Sequence, residues 1–236
     1  VAYIKAGNTA SQTAATVTTG IQNGLGTYLS HYIPRGSYKT SSALVARPWM
    51  KIQGGGMADI YFWSGEEVTG TRICQSAAAF AITTDIPGGD EDDSVFGHIE
   101  ISDLTVLGAR LNEPSGAYEF GPIGTYGIRN NSSDRFRYER VCSAFFTLSG
   151  WRILGSLGGS LIDCEGMYNQ DSGIRFDYGL HGVGEAMGVH ISELNGGRWN
   201  QNKDAGVRID TSIIGLKIRN ADIESNGNFY SSGLGH

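Results

Sequence analysis

Two stretches of the chain, DSGIRFD at residues 171–177 and DAGVRID at residues 204–210, repeat one order of Gly, apolar residue, Arg and apolar residue. The same order occurs in TYGIRNN at residues 125–131 and LSGWRIL at residues 148–154, and SSGLGH at residues 231–236 again places Leu after Gly. The glycines of this motif are 23, 23, 33 and 27 residues apart. Self-similarity at such a period is typical of a solenoid, in which each repeat forms one coil.

A second pattern lies between the copies of the first, with apolar residues at the first, third and sixth positions of a short stretch. Alternation with a period of two predicts a strand with its apolar side chains inward, so each coil carries two short strands. The copies are Ile99-Ile101-Leu104, Phe136-Tyr138-Val141, Gly159-Leu161-Cys164, Val189-Ile191-Leu194 and Leu216-Ile218-Ala221. Because the repeats show no helical period and the chain has 35 glycines, this pattern predicts an all-β parallel β-helix.

The unequal coil lengths predict where residues are inserted. About seven extra residues fall within 178–187, between the two strands of one coil, and about three more fall in each of 196–203 and 225–232. Loops on a rigid scaffold are where binding sites usually lie.

The chain of 236 residues is interpreted as one continuous domain, with a cap helix and first coils in residues 1–60 and further coils in residues 61–236. We expect it to be a truncated piece of a longer protein, because it begins at Val1 and ends inside a motif copy. A net charge of −6 argues against nucleic acid as the partner. The given residues contain no signal-peptide pattern and no apolar run near 18 residues, so we expect no membrane-spanning segment within them.

The three cysteines, Cys74, Cys142 and Cys164, lack the spacing of metal ligands or redox pairs. We therefore expect buried free thiols, no metal site and no cofactor. The acidic stretch at residues 88–94 is interpreted as a solvated turn, because its spacing matches no calcium-binding loop.

The first third of the chain predicts a short helix followed by strands. Within residues 9–29, apolar residues recur at helical spacing after Thr9 and Ser11, either of which could cap the helix. IPRGSY at residues 33–38 and MKIQGGG at residues 50–56 follow. This order resembles the opening of the pectate-lyase-like right-handed β-helix proteins, above all bacteriophage tailspikes and related polysaccharide depolymerases.

The resemblance implies a right-handed solenoid whose first coil is capped by the helix. It also implies a homotrimer in a phage tail or another extracellular setting, with a bacterial surface polysaccharide as its partner. The positions that carry it are Pro34, Gly36, Tyr38, Ile52, Gly54 and Gly56. It implies no catalytic set, because Leu180-His181-Gly182 lacks the Gly-His-Gly form of polygalacturonases and the aspartate pair of such enzymes is missing.

The arginine of each motif copy should point outward and stack on the next coil at about 4.8 Å. These residues are Arg129, Arg152, Arg175 and Arg208. A line of guanidinium groups needs anions, and Asp177 and Asp210 on the same face could supply them. Alternatively, Arg175 and Arg208 bind the carboxylates of an acidic polysaccharide.

Two pairs of acids are candidates for glycoside hydrolysis, which uses two carboxyl groups beside the scissile bond. Asp163 and Glu193 take equal positions in two successive copies of the second pattern, and Asp171 and Asp204 each precede a motif glycine by two residues. One of two close carboxyl groups would have a raised pKa and could protonate a leaving oxygen. The alternative for all four is a structural role in turns.

Aromatic residues near the predicted insertions are candidates for stacking on sugar rings or for a subunit interface; they include Tyr168, Trp199 and Tyr230. The sequence therefore predicts a tailspike-type protein that binds and depolymerises a bacterial surface polysaccharide, by hydrolysis in preference to elimination. The alternatives are a non-catalytic receptor-binding segment and a secreted pectin-type enzyme, which the missing motifs disfavour.

Overall fold

The chain winds into coils whose strands stack in parallel on three sides of one core. In the computed structural model the described residues are 2–3, 14–27, 29–58, 60, 69–84, 97–112, 117–122, 124–131, 135–181, 185–190 and 192–227. Every strand pairing on the three sides is parallel, and apart from Ala2–Tyr3 with Ser30–Ile33 the paired strands are not consecutive in the chain. The fold is the predicted all-β right-handed parallel β-helix with an N-terminal helix.

The strands are grouped by the side of the solenoid to which they belong. The first side contains Ala2–Tyr3, Ser30–Ile33, Lys51–Gly54, the first halves of His98–Leu107 and Arg135–Ala144, Gly159–Ile162, Ser192–Asn195 and Lys217–Arg219. The second side contains Gly36–Thr40, Thr71–Gln75, the second halves of His98–Leu107 and Arg135–Ala144, and Glu165–Met167. The third side contains Leu44–Val45, Ile82–Thr83, Ile128–Asn131, Trp151–Leu154, Ser172–Asp177 and Ala205–Ile209. Three smaller pairs are Ala109–Asn112 with Ala117–Pro122, Gly179–His181 with Glu185–Met187, and Val189–His190 with Ile213–Ile214.

The second side, which the sequence patterns do not reveal, is bounded by two columns of left-handed residues. The first column joins it to the first side and comprises Asp103, Arg140, Asp163, Gly196 and Asn220, with φ between 50° and 76°. The second column ends it and comprises Phe145, Tyr168, Gln201 and Ser225, with φ between 54° and 62°. Single left-handed residues turn the chain sharply, so their equal spacing in each coil fixes the width of the second side.

An asparagine ladder follows the second column of left-handed residues. The Asn202 side-chain oxygen accepts hydrogen bonds from the backbone N–H and the side-chain amide of Asn169, both at 3.0 Å. Asn226 receives the same two bonds from Asn202, at 3.0 and 3.1 Å. At the other end, the Phe146 N–H donates to Asn169 at 3.1 Å. Asn169 and Asn202 are fully buried, so the ladder satisfies polar groups inside the solenoid.

The repeated glycine of the motif lies against backbone of the next coil. A Cβ atom on Gly173 would lie 2.7 Å from the carbonyl oxygens of both Gly166 and Gly206. A Cβ atom on Gly150 would lie 3.0 Å from the carbonyl oxygen of Gly173. The motif therefore requires glycine because backbone from the next coil occupies the space of a side chain.

The register of the first side corrects one prediction. Leu161 pairs with Leu194, so Glu193 lies opposite Ser160, and the Asp163 N–H donates to Asn195 O at 2.9 Å. The predicted juxtaposition of Asp163 and Glu193 is wrong. The copy of the second pattern at Val189-Ile191-Leu194 was placed three residues too early, since Leu194 pairs with Leu161 and not with Cys164. The whole insertion lies in the hairpin of Gly179–His181 and Glu185–Met187, and the predicted gain within 196–203 does not occur.

The helix Ala14–Thr27 covers the first coil, as predicted, with Val17, Ile21 and Leu25 in the core. Its Gln22 side chain accepts a hydrogen bond from the Val45 N–H at 2.8 Å and donates one to Val45 O at 3.3 Å. The two predicted capping positions, 9 and 11, lie outside the described residues. Within the described part of the chain, no helix is long and apolar enough to cross a membrane.

The interior is filled by aromatic and aliphatic side chains in columns. Phe136, Tyr138 and Trp151 form one stack, with ring centroids 5.0 and 5.4 Å apart along the series. The prediction of three buried, free cysteines is confirmed. The acidic stretch at residues 88–94 lies outside the described residues.

We expect Gly173→Ala to destabilise the protein by about 2–3 kcal/mol, because the added Cβ meets backbone from two neighbouring strands. Gly20→Ala is the matched control, since Gly20 is an exposed helix residue with nothing within 4 Å of an added Cβ. That change should instead stabilise by about 0.5–1 kcal/mol. Urea unfolding of both variants measures the difference, and equal effects would contradict the close approach of the coils.

Candidate functional site

The arginines of the motif form a continuous column on the third side. Arg129 pairs with Arg152, Arg152 with Arg175, and Arg175 with Arg208 on successive coils. Stacked like charges repel unless anions lie between them. The surrounding groups therefore decide whether this column is structural or available to a ligand.

Aspartates and aromatic rings accompany the column. Arg152 donates to Asp177 Oδ2 from Nη2 at 2.7 Å and from Nε at 3.2 Å. The Nε atom of Arg175 lies 2.8 Å from Asp210 Oδ2. The guanidinium groups of Arg129 and Arg152 also lie over the rings of Phe80 and Tyr126, at 5.0 and 5.1 Å from the centroids. These contacts favour the first of the two alternatives, in which the column is neutralised from within the chain.

The electrostatics of Asp177 reflect this arrangement. Burial alone would raise the pKa of its carboxyl group, since the side chain is only 14% exposed. The hydrogen bond from Arg152, the backbone N–H of Tyr178 and the charge of Arg175 outweigh burial and lower the pKa below its usual value. Asp177 is therefore an ionised structural counter-ion at neutral pH.

Arg208 brings the predicted acids Asp171 and Asp204 together. Its Nη1 atom donates to Asp171 Oδ1 at 3.0 Å and to Asp204 Oδ2 at 3.1 Å, and the Asp204 N–H donates to Asp171 O at 2.9 Å. Asp171 also accepts a hydrogen bond from Ser149 Oγ at 2.8 Å. Asp171 is 16% exposed and Asp204 58% exposed. Of the two predicted acid pairs, this one is adjacent in the structure, although each carboxylate is bound to a guanidinium group.

The three predicted aromatic contacts have different positions. Trp199 is fully buried and packs against Trp151, with 6.3 Å between ring centroids. It cannot stack on a sugar, and this prediction is wrong because Trp199 lies opposite Gly166 on the inward face of the second side. Tyr168 lines a groove and stacks on Phe145 at 5.3 Å. Position 230 lies outside the described residues.

The groove lies where the described residues between Met57 and Ile60 pack across the outward face of the second side. The Ala58 N–H donates to Thr105 Oγ1 at 3.0 Å, and that hydroxyl donates to Ala58 O at 2.7 Å. The segment thereby covers a second apolar cluster that includes Ile60, Leu107 and Met167. A groove of about 650 Å³ remains at the edge of this cluster.

The groove is lined by both apolar and polar residues. The apolar lining consists of Met57, Ala58, Ile60, Met167 and Tyr168. The polar lining consists of Thr69, Glu165, Arg198, Asn200 and Gln201. An apolar surface with a few convergent polar groups is the usual composition of a small-molecule or saccharide site.

Two charged residues of the groove lining, Glu165 and Arg198, share a column with Asp222 of the next coil. Arg198 lies opposite Glu165 on the preceding coil and opposite Asp222 on the next. Arg198 Nε donates to Glu165 Oε1 at 2.8 Å, with exposed side-chain fractions of 55% and 10%. Asn200, two residues further on, donates from Nδ2 to Asp222 Oδ2 at 3.3 Å. The order of negative, positive and negative charges holds Glu165 and Arg198 in fixed positions.

Cys142 is adjacent to Glu165 on the preceding coil. Burial, with the charge and hydrogen bond of Glu165, raises the pKa of this thiol well above its usual value. The thiol is therefore protonated at neutral pH and is not a nucleophile. Among the described residues, no group of three or more His, Cys, Asp or Glu side chains could hold a metal ion.

Sequence reasoning missed Glu165, Arg198 and Asn200. The second side has short strands, and on the later coils only single bridges, so it offers no alternation to read. A usable signal is the offset of 33 residues that links Asn169 to Asn202. Applied to the preceding residues, it places Glu165 beside Arg198.

The sequence matches no protein-family model and no curated protein. Similar solved structures include the ORF18 protein of Geobacillus virus E2, with 11% identity and a TM-score of 0.61 over 86% of this chain. This chain spans 38% of that viral protein. The A-modules of the mannuronan C-5 epimerases AlgE6 and AlgE4 of Azotobacter vinelandii have TM-scores of 0.47 and 0.46 and identities of 16% and 17%. The matches include 89% and 91% of this chain, and they span 66% and 68% of the AlgE6 and AlgE4 modules. At such identities the similarity is one of fold.

We expect Asp177→Asn to lower the free energy of unfolding at pH 7 by about 2 kcal/mol, because Arg152 and Arg175 lose their shared counter-ion. The folded-state pKa of Asp177 lies below the unfolded value of about 3.9. Its contribution is therefore complete above that pH and is lost as the pH falls through the folded-state pKa. Denaturant unfolding from neutral to acid pH should show the two proteins converging.

Glu193→Gln provides the control for this measurement. Glu193 is 39% exposed and lies 3.9 Å from Arg219, so its loss should change stability by less than about 1 kcal/mol. A constant deficit of Asp177→Asn at all pH values would contradict the assigned role of the carboxylate.

Proposed function

We propose that this chain is the β-helix of a tailspike-type phage protein that binds a bacterial surface polysaccharide in the groove of the second side. The observation that carries the proposal is the groove itself, whose lining combines the Glu165–Arg198 pair with apolar residues that include Met57 and Tyr168. Sugar rings present hydroxyl groups at their edges and apolar C–H groups on their faces. A site with both kinds of surface is suited to them.

The fold supports the same proposal. A solenoid exposes long flanks on which an extended polymer can make repeated contacts. The viral protein of similar structure shares this fold, and the opening of the chain resembles tailspikes. In the proposed assembly the protein is a homotrimer on the virion or in another extracellular setting.

A second candidate function is depolymerisation of the bound polysaccharide by hydrolysis. The observation that favours it is the adjacency of Asp171 and Asp204, whose carboxylates share Arg208 Nη1. In this reaction one acid would protonate the glycosidic oxygen and the other would act as nucleophile or base. Arg175 and Arg208, which remain predicted substrate contacts, would bind beside them.

Binding by the groove is tested with a matched pair of arginine variants. Arg198 is 55% exposed and paired with Glu165 at 2.8 Å, while Arg137 on the first side is 51% exposed and paired with Glu139 at 2.9 Å. Calorimetric or surface titration with a panel of capsular and O-antigen polysaccharides should find a binding polymer. We expect Arg198→Gln to weaken its binding at least tenfold and Arg137→Gln to leave it unchanged. Equal losses, or no binding polymer, would refute the site.

Hydrolysis is tested with Asp204→Asn, because Asp204 is 58% exposed and its replacement should leave the melting temperature nearly unchanged. With a polymer that binds, the release of new reducing ends should be fast for the unaltered protein and at least 100-fold slower for the variant. Binding should persist in both. A folded protein that binds without releasing reducing ends would leave binding as the function.

A further inference from the structure

We infer that copies of this chain pack side by side along the edge where the third side of the solenoid meets the first side. This inference rests on the proposed homotrimer and specifies its contact surface, whichever ligand the groove binds. The exposed apolar side chains of this edge, their straight arrangement and their composition lead to it. The surface is called the apolar edge, and its described members are Leu29, Trp49, Leu157, Tyr178 and Ile214.

Large apolar side chains are concentrated on the apolar edge. Half of the ten large apolar residues that are exposed in the described part of the chain lie there. Their exposed fractions are 63% for Leu29, 66% for Trp49, 40% for Leu157, 49% for Tyr178 and 58% for Ile214. Of the other five, three continue the inward columns on the last described coil, one lines the groove, and Leu148 lies between the second and third sides. An exposed apolar patch of this kind marks an interaction surface.

The C-terminal half of the apolar edge is built on one column of paired residues. The His190 N–H donates to Ser156 O at 2.8 Å, and His190 pairs with Ile214 on the next coil. Leu157, which follows Ser156, and Ile214 therefore lie on the two coils that flank His190, about two strand spacings apart. Tyr178 belongs to the coil of His190, where it directly follows the strand of the third side. The strand pairing thus fixes the positions of these side chains relative to one another.

The N-terminal half of the apolar edge is held by backbone contacts. The Lys51 N–H donates to Leu29 O at 2.7 Å, which places Leu29 next to the turn that contains Trp49. Trp49 has a φ of 65°, in the left-handed region, and a Cβ atom on Gly97 would lie 2.7 Å from Pro48 Cβ. The turn is therefore packed tightly against the next coil, and its tryptophan side chain is held in solvent. A side chain on a backbone that is ordered before association costs less conformational entropy on binding.

The apolar edge is straight, because each coil adds one strand spacing along the solenoid. Leu29 and Ile214 are separated by six spacings of about 4.8 Å, or about 29 Å. A rounded partner would contact such a line over only part of its length, whereas a solenoid with the same spacing can follow it throughout. A second copy of this chain has that spacing. A rotation axis parallel to the solenoid would bring the same edge of every copy together, as a cyclic trimer requires.

The composition of the apolar edge favours a protein partner over a polysaccharide. Three of its five members are leucine or isoleucine, which lack the flat face on which a sugar ring stacks. At these exposed fractions the five side chains present about 500 Å² of apolar surface, at roughly 100 Å² each. A standard interface buries about 800 Å² on each partner, so polar residues of the flanks would form the remainder. We therefore expect association with a Kd in the micromolar range.

Two leucine variants form a matched pair for the experiment. Leu157 on the apolar edge is 40% exposed, and Leu148 between the second and third sides is 37% exposed. Sedimentation velocity of the unaltered chain from about 1 to 200 µM should show association that increases with concentration. We expect Leu157→Lys to weaken this association at least tenfold and Leu148→Lys to leave it unchanged. Because lysine makes the net charge of −6 less negative, a loss cannot come from greater repulsion between copies.

The outcomes separate this inference from the proposed polysaccharide binding. A chain that stays monomeric at every concentration, or equal losses in the two folded lysine variants, would overturn the inference. Polysaccharide binding by such a monomer would leave the binding function intact. An assembled chain that binds no polysaccharide would refute the binding function and retain the apolar edge.

Cysteine variants at the same two positions test the geometry directly. The native thiols of Cys74, Cys142 and Cys164 are buried, so a short bis-maleimide should react only with an introduced cysteine. We expect Leu157→Cys to give cross-linked dimers and trimers and Leu148→Cys to give none. Cross-linking through position 148 alone, or through neither position while the chain remains assembled, would overturn the assignment of the edge.

Discussion

The fixed register between successive coils is the constraint on which the rest of the structure depends. Each strand pairs with the next coil at the spacing of a parallel sheet, so equivalent residues become neighbours across the whole solenoid. The close approach of Gly173 to the Gly206 carbonyl oxygen on the next coil leaves no room for a side chain, and the Asn169–Asn202 bonds fix the same offset from inside. A shift by one residue would turn every inward side chain outward.

Because the register is fixed, the fold determines which charged side chains are neighbours along each column. Like charges on neighbouring coils would repel at about 5 Å, so a column survives when counter-ions alternate with it or flank it. The third side uses flanking aspartates for its arginines, and the second side alternates Glu165, Arg198 and Asp222 along the column. Both arrangements stabilise the solenoid. They differ in their surroundings, because Glu165 and Arg198 of the second side line a groove together with Met57, Ala58 and Ile60.

The sequence predicted the third side well and the second side not at all, and the physical reason is length. Six residues of alternation with a required glycine, as in Ser172–Asp177, identify a strand and its inward face. The second side is bounded by left-handed residues such as Asp163 and Tyr168, and its short segments cannot show a period. Trp199 illustrates the consequence. It was expected in an exposed loop because the strand pattern before it had been placed three residues too early. In the structure it lies in the inward column.

The acids of the two sides also differ in how they are paired and exposed. Asp204 is 58% exposed but belongs to a network in which Arg208 is shared by three aspartates, so water and guanidinium groups already solvate its charge. Glu165 is 10% exposed, with a neutral thiol on one side and Arg198 on the other. A carboxylate held at the edge of an apolar groove gains more from a ligand than one already saturated with arginine and water. Recognition is therefore expected on the second side, where the Arg198 side chain remains 55% exposed at the edge of the groove.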